Sequence, residues 1–257
     1  MSDGVWARLL RRCGGACAFV VLLAPRIATA QGQSFTWTGF YGGLNAGMEF
    51  FSANGSTSCT APSGLFGALC PPTTGLQAQS TGFAGGAQAG YLYQIDRVVM
   101  GVEADFSGLT ARTATTTYSN LSGLLAIPTI QTIKQQVDWL ATLRGRLGYD
   151  FGRTLVYGTA GLALGGTRLE GNLTFPSLIG ESFPAFGQAT MPGFVVGGGI
   201  EYALFDHWTV RAEGLYFDLG VQNIYNSGGQ PVNVPVTQGY SGRFTGAIGR
   251  LAVNYKF

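Results

Sequence analysis

Ala247-Ile248-Gly249-Arg250-Leu251-Ala252-Val253-Asn254-Tyr255-Lys256-Phe257 closes the chain, and its reading decides the fold. Successive side chains of a β-strand point to opposite faces. Ala247, Gly249, Leu251, Val253, Tyr255 and Phe257 therefore share one face, while Arg250, Asn254 and Lys256 share the other with Ile248 and Ala252. One face suits lipid and the other a polar interior, which is the pattern of a strand in the wall of a membrane barrel.

The same period of two recurs upstream. Phe194, Val196, Gly198, Ile200, Tyr202 and Leu204 stand opposite Val195, Gly197, Gly199, Glu201 and Ala203. Trp139, Ala141, Leu143, Gly145, Leu147 and Tyr149 stand opposite Asp138, Leu140, Thr142, Arg144, Arg146 and Gly148. Met100, Val102, Ala104 and Phe106 oppose Glu103 and Asp105, and Trp208, Val210 and Ala212 oppose Arg211 and Glu213. Segments 37–48, 80–94 and 154–168 alternate less cleanly and are rich in Gly, as walls with closely approaching backbones are.

Composition points the same way. Charged residues are 11% of the chain, against roughly a quarter in ordinary soluble proteins. After the N-terminus no segment offers an apolar run of the roughly 18 residues that a spanning helix needs. A chain that avoids charge yet cannot cross as a helix is left with the closed barrel, which pairs every backbone donor and acceptor with a neighbouring strand. The formal net charge of +2 provides no basic footprint for nucleic acid.

At the N-terminus, Arg8, Arg11 and Arg12 precede an apolar stretch from Cys13 to Pro25 and then Ala28-Thr29-Ala30. A basic region, a short apolar region and a small-residue site are the parts of a secretory signal peptide. Cleavage is expected after Ala30, leaving a barrel domain over 31–257. The alternative, an N-terminal membrane anchor, is disfavoured by the shortness of the apolar run.

Eight candidate strands emerge, near 37–48, 80–94, 98–108, 133–149, 154–168, 192–204, 208–222 and 242–257. Strands 2 and 3, 4 and 5, and 6 and 7 are joined by short turns around Asp96-Arg97, Asp150-Phe151-Gly152-Arg153 and Phe205-Asp206-His207. The other four connectors, near 49–79, 109–132, 169–191 and 223–241, are long and rich in Ser, Thr, Gly, Pro and Asn. The expectation is an all-β, eight-stranded antiparallel transmembrane barrel with four long outward loops and short periplasmic turns. Trp37, Tyr93, Trp139, Tyr149, Trp208, Tyr216, Tyr255 and Phe257 lie near strand ends, where interfacial aromatic girdles form.

An eight-stranded barrel has room inside for little but side chains. The inward set contains Glu103, Asp105, Asp138, Glu201 and Glu213 against Arg144, Arg146, Arg211, Arg250 and Lys256. Charges buried without water are costly unless paired, so a ladder of lumenal ion pairs is expected. The competing reading is a selectivity lining for a channel, and barrel size favours the packed lumen. Cys59 and Cys70, the cysteines remaining after cleavage, both fall in the first long connector. Export through an oxidising compartment predicts a disulfide between them.

Several stretches also carry a family resemblance covering most of the mature chain. Trp37-Thr38-Gly39-Phe40-Tyr41-Gly42-Gly43-Leu44-Asn45-Ala46-Gly47 resembles the opening strand of the opacity-type porin family, small outer-membrane barrels common among alphaproteobacterial surface antigens. Gly197-Gly198-Gly199-Ile200-Glu201-Tyr202 followed by Trp208 to Gly220 resembles its penultimate hairpin, and Arg250 to Phe257 its closing strand. The resemblance implies an outer-membrane address in a Gram-negative cell. It also implies that Tyr255 and Phe257 form the C-terminal signal read by the barrel-assembly machinery. The implied partners are outer-membrane lipid, lipopolysaccharide and that machinery, with no cofactor; the family shares a scaffold rather than one chemistry.

No catalytic or metal-binding residue is assigned. Glu103 and Asp105 would be held ionised by the nearby cations, and His207, the single histidine, falls in a short turn. Two functional classes remain: a structural and surface-display protein of the envelope, or a porin-like passive transporter or ligand-binding channel. Continuous water through the lumen would favour the second, and an ion-paired plug the first.

Overall fold

The computed structural model describes residues 35–60, 70, 73, 75–120, 128–175, 181–228 and 236–257. The expected signal peptide, 1–30, lies outside the described residues. Every described element is a strand: β1 (Gly39–Thr60), β2 (Gly75–Ile95), β3 (Val98–Leu109), β4 (Arg112–Asn120), β5 (Pro128–Asp150), β6 (Thr154–Phe175), β7 (Glu181–Ala203), β8 (Trp208–Gly228) and β9 (Val236–Lys256). All neighbours pair antiparallel, and β9 pairs with β1 from Tyr41↔Lys256 to Thr60↔Thr237. β3 and β4 follow one another along β5, with Val98↔Tyr149 to Gly108↔Trp139 and then Arg112↔Gln136 to Asn120↔Pro128. Nine strand segments thus make a closed ring of eight walls.

The turns at one end are tight, and the end they define is here called the turn end. Ile95 pairs with Val98, so Asp96-Arg97 is a two-residue hairpin. Asp96 has φ of 52°, the left-handed conformation such turns demand and Asp tolerates. At the opposite, loop end the strands run much further than the alternation suggested. Seven of them are 21–23 residues long. Most of what read as long connectors, at 49–79, 109–132, 169–191 and 223–241, is strand.

Those extra turns of ladder escaped the sequence reading because their polarity is reversed. On β1 the outward residues Phe40, Leu44, Met48 and Phe50 are exposed and apolar, and Ser52, Asn54, Ser56 and Ser58 continue the same face. The apolar part has about the 9–11 residues of tilted strand that a bilayer core requires. The same change falls after Phe83 toward Thr81 on β2, after Trp139 toward Asp138 on β5, and after Ala247 toward Thr245 on β9. Inside the loop-end half, Phe51, Leu140, Leu169, Phe217, Leu219, Tyr240, Phe244 and Ile248 form a buried apolar core. That half has an apolar inside and a polar outside, like a soluble barrel, and the membrane half is the opposite.

The ladder is irregular where the halves meet. β5 shifts register between Val137 and Trp139, and β8 between Asp218 and Val221. There Gly220 takes φ of 79° and its N–H donates to Asp218 Oδ1 at 2.8 Å. Between β3 and β4 the chain leaves β2 at Thr110-Ala111. Among the described residues no ladder joins β2 to β4. The freed Ala111 N–H donates to Glu49 Oε2 at 3.0 Å, and Glu49 is fully buried. Gly82 is required at this crossing, since a Cβ there would lie 2.4 Å from the Ala111 nitrogen.

At the turn end, Tyr93, Tyr149, Tyr202, Trp208, Tyr255 and Phe257 are exposed on the outer wall and form an interfacial belt of the expected kind. Trp37 does not join it. Its ring is buried among Phe35, Tyr41, Leu92, Val99, Leu155 and Tyr157 inside the lumen. Its indole N–H donates to Asp150 Oδ1 at 3.0 Å and its backbone N–H to Gln94 Oε1 at 2.8 Å. The strand begins only at Gly39, so Trp37 belongs to an entering segment that plugs the mouth.

Candidate functional site

Between the apolar core and the Trp37 plug lies a layer of buried charge. Alternation turns Glu103 and Asp105 of β3, Arg144 and Arg146 of β5, Glu201 of β7, Arg211 and Glu213 of β8, and Arg250 of β9 toward the axis. None of these eight residues is more than 6% exposed. Arg144 donates to Glu103, to Asp105 at 2.8 Å and to Glu213 at 3.1 Å. Arg211 reaches Glu103 at 2.6 Å and Glu201 at 3.2 Å. Arg146 reaches Glu201 at 2.9 Å and Glu103 at 3.4 Å. Arg250 closes the set on Glu213 at 2.7 Å and Asp105 at 3.2 Å.

The four carboxylates and four guanidiniums balance, and the links cross the lumen rather than following the ladder. Arg211 on β8 and Arg250 on β9 bind carboxylates of β3, although among the described strands β3 is hydrogen-bonded only to β2 and β5. Such contacts span the interior and close it.

Neutral groups complete the layer. The Tyr41 hydroxyl donates to Glu103 at 2.5 Å and the Tyr157 hydroxyl to Glu213 at 2.7 Å. Arg146 lies over the Tyr157 ring, 3.8 Å from its centroid. Asn254 donates to Glu201 at 2.9 Å and accepts from Gln88 at 2.7 Å, and Asn45 donates to Gln88 at 2.5 Å. β1 and β2 bring no charge to this layer, so amides fill their side of the lumen. Tyr41, Asn45, Gln88 and Tyr157 were not singled out from the sequence. Their inward parity on Gly-rich strands was the available signal, and the weak alternation there concealed it.

Two residues expected in the ion-pair ladder stand elsewhere. Asp138 sits at the β5 register shift, which moves it out of phase with Arg144 and Arg146. It is half-exposed on the outer wall, 3.1 Å from Arg168. Lys256 has inward parity, but at the mouth it meets no carboxylate among the described residues. Its ammonium donates to the Thr36 carbonyl and lies 5.1 Å from the Phe35 ring centroid, so it fastens the entering segment.

Cys59, near the loop end of β1, is bonded to Cys70, with Cα atoms 5.4 Å apart. Tyr255 and Phe257 lie on the outer wall, ring centroids 5.2 Å apart, with Trp208 5.1 Å from Tyr255. His207 is exposed in the turn between β7 and β8 and stacks on Tyr255 at 5.7 Å. Among the described residues no group of three His, Cys, Asp or Glu side chains is arranged to hold a metal ion.

A sheet closed on itself, an apolar band of bilayer height outside it and paired charge inside it define an integral outer-membrane β-barrel. The chain belongs to the outer membrane protein beta-barrel domain family, whose model matches residues 16–246. It is 35% identical over 216 residues to the 31 kDa outer-membrane immunogenic protein of Brucella melitensis biotype 1, covering 80% of this chain and 82% of that protein. It is 30% identical over 139 residues to the 22 kDa outer membrane protein of Rhizobium leguminosarum bv. viciae, 53% of each chain. Among solved structures, the outer membrane protein OprG from Pseudomonas aeruginosa aligns at 16% identity with a TM-score of 0.48, over 88% of this chain and 99% of that one.

Proposed function

We propose that this protein is a sealed structural barrel of the outer membrane that acts through the surface its loop end displays outside the cell. The charged layer carries the reading: eight buried side chains are joined to one another across the lumen at one level. The apolar core on one side and the Trp37 plug on the other add two further barriers. The extended loop-end half, with a disulfide at Cys59–Cys70, forms a rigid platform of the kind that carries recognition on its connecting segments. Relatives named as immunogenic outer-membrane proteins fit a displayed surface.

The layer is poorly suited to acid–base catalysis. Each of its four carboxylates faces at least two guanidinium groups, so its oxygens are already engaged in ion pairs. A second reading, a narrow channel for passive transport or ligand binding, draws on Arg144 Nε, Arg146 Nε and Arg211 Nη2, buried donors without a protein partner. Water entering the lumen would bind there first.

Planar-bilayer conductance of refolded mature protein, residues 31–257, separates the two. Folded, heat-modifiable protein with no unitary steps is the expected result. Reproducible steps would overturn the sealed barrel and make diffusion the function. On the same reading, outward-facing Tyr255 and Phe257 serve recognition by the assembly machinery, and deleting Phe257 is expected to lower insertion in cells while leaving refolding into detergent intact.

A further inference from the structure

Just above the apolar band, the outer wall carries an unusual row. Arg112 of β4 pairs with Gln136 of β5, Gln136 with Arg168 of β6, and Arg168 with Gln188 of β7. All four side chains point outward; Gln136 and Arg168 donate to Asp138 beside them, and the Gln188 amide oxygen accepts from Arg168. One row further toward the loop end, Lys134 is exposed beside Glu170 at 3.6 Å. Arg112, Lys134 and Arg168 line a shallow depression with Gln136 and Glu170, its volume about 360 Å³.

The row directly beneath is aromatic. Trp139 covers Gly166, where a Cβ would lie 2.2 Å from the indole nitrogen, and stacks on Phe106 with ring centroids 5.8 Å apart. An aromatic pair at the edge of the apolar band marks the boundary between acyl chains and headgroups. The cations one step above it are therefore at headgroup depth.

We propose that this face binds the phosphorylated headgroup of an outer-leaflet glycolipid. Arg112 and Arg168 are two strand spacings apart, about 10 Å, with Lys134 between them and one row higher. The Arg112 fork and the Lys134 ammonium can grip phosphate oxygens from two sides, Arg168 adds positive charge while its Nη2 donates to Asp138, and the acyl chains lie along the Phe106–Trp139 surface. Asp138 and Glu170 hold Arg168 and Lys134 in place. Arg112 has no carboxylate partner among the described residues, and it leaves the cluster with net positive charge. Elsewhere at this level the wall offers Ser52 and Thr81 on β1 and β2, and on β9 Arg243, which is neutralised by Asp218 at 2.5 Å. The charge complementarity is confined to β4, β5 and β6.

The placement in the outer leaflet rests on the loop end facing outward, and the test separates the two. Refolded protein in detergent is incubated with bisphosphorylated lipid A or its dephosphorylated form, and native mass spectrometry reads the lipid retained. Wild type is expected to prefer the phosphorylated form by about tenfold, as bidentate Arg–phosphate contacts would give. The combined Arg112→Gln, Lys134→Gln and Arg168→Gln variant is expected to lose that preference, and Arg243→Gln to keep it. Arg112→Gln alone removes no ion pair among the described residues, so it tests the site even if the triple variant fails to fold; it is expected to lose part of the preference. Equal retention of both lipids, an unchanged preference in these variants, or displacement by inorganic phosphate would each overturn the proposal. Orientation is read apart, by labelling Tyr118→Cys on intact cells with a membrane-impermeant maleimide.

Discussion

The barrel consists of two halves built on one set of strands with opposite polarity. In the membrane half Leu44, Leu143, Leu162 and Leu251 face out while Glu103, Arg144, Glu213 and Arg250 face in. In the loop-end half Ser52, Lys134, Arg168 and Arg243 face out while Phe51, Leu169, Phe217 and Phe244 face in. A strand supplies two faces and nothing more; the medium on each side decides which face is the core. Lipid makes apolar side chains the correct exterior and leaves polar groups to satisfy one another inside, whereas water demands the reverse. The change between the two regimes coincides with the register shifts at Val137/Trp139 and Asp218/Val221 and with the Thr110-Ala111 crossing.

If the halves are stabilised differently, substitutions should divide along that boundary. The largest effect is expected from Arg144→Met, which strands Glu103, Asp105 and Glu213 with fewer partners. Removing one member of a buried ionic network costs about 3 to 5 kcal/mol. Urea unfolding in lipid vesicles, followed by Trp fluorescence, should show that loss for the whole barrel; a change within error would mean the lumen is wet enough to solvate the stranded carboxylates.

In the other half, Phe244→Ala removes a fully buried ring at an expected cost of about 3 to 4 kcal/mol. Here proteolysis from the loop end should accelerate while heat-modifiable migration persists. Loss of both together would show that the halves unfold as one unit. Reduction of Cys59–Cys70, which spans 11 residues in sequence, is expected to cost about 2 to 3 kcal/mol, again at the loop end. Comparing proteolysis of reduced and oxidised protein measures it.

Glu49 tests the seam itself. Replacing it with Leu leaves the buried Ala111 N–H without its acceptor, at about 1 to 3 kcal/mol. Glu49→Gln keeps an acceptor and should retain most of the stability. Amide exchange at Ala111 distinguishes them: fast in the Leu variant and slow in the Gln variant. The smallest effect is expected from Lys134→Ala, whose pair with Glu170 is exposed on both sides and is worth less than about 1 kcal/mol. A larger shift in the unfolding midpoint would mean that the outer-wall cations form part of the fold.

The membrane half was largely legible in the sequence. From Phe194 to Leu204 and from Ala247 to Phe257 every second residue is apolar or Gly, because one face meets a medium that tolerates little else. The inward Glu and Arg stood out against a chain with 11% charge. The loop-end half was not legible. Ser52, Asn54 and Ser56 facing water look like a loop when their apolar partners Phe51, Ala53 and their neighbours are not known to pack on β9 and β5. Asp138 and Trp37 were misplaced for a related reason. A bulge of one residue reverses every parity argument beyond it, and no local pattern announces that an entering segment will turn inward.

By itself the sequence determined the all-β class, the closed wall, the apolar band and the residues able to carry charge into the lumen, since each follows from local alternation and composition. Only the tertiary structure decided which charges meet. Arg211 and Arg250 find Glu103 and Asp105 across the ring through closure of β9 on β1. That closure sets the stagger of strands far apart in the chain, a quantity absent from any single segment.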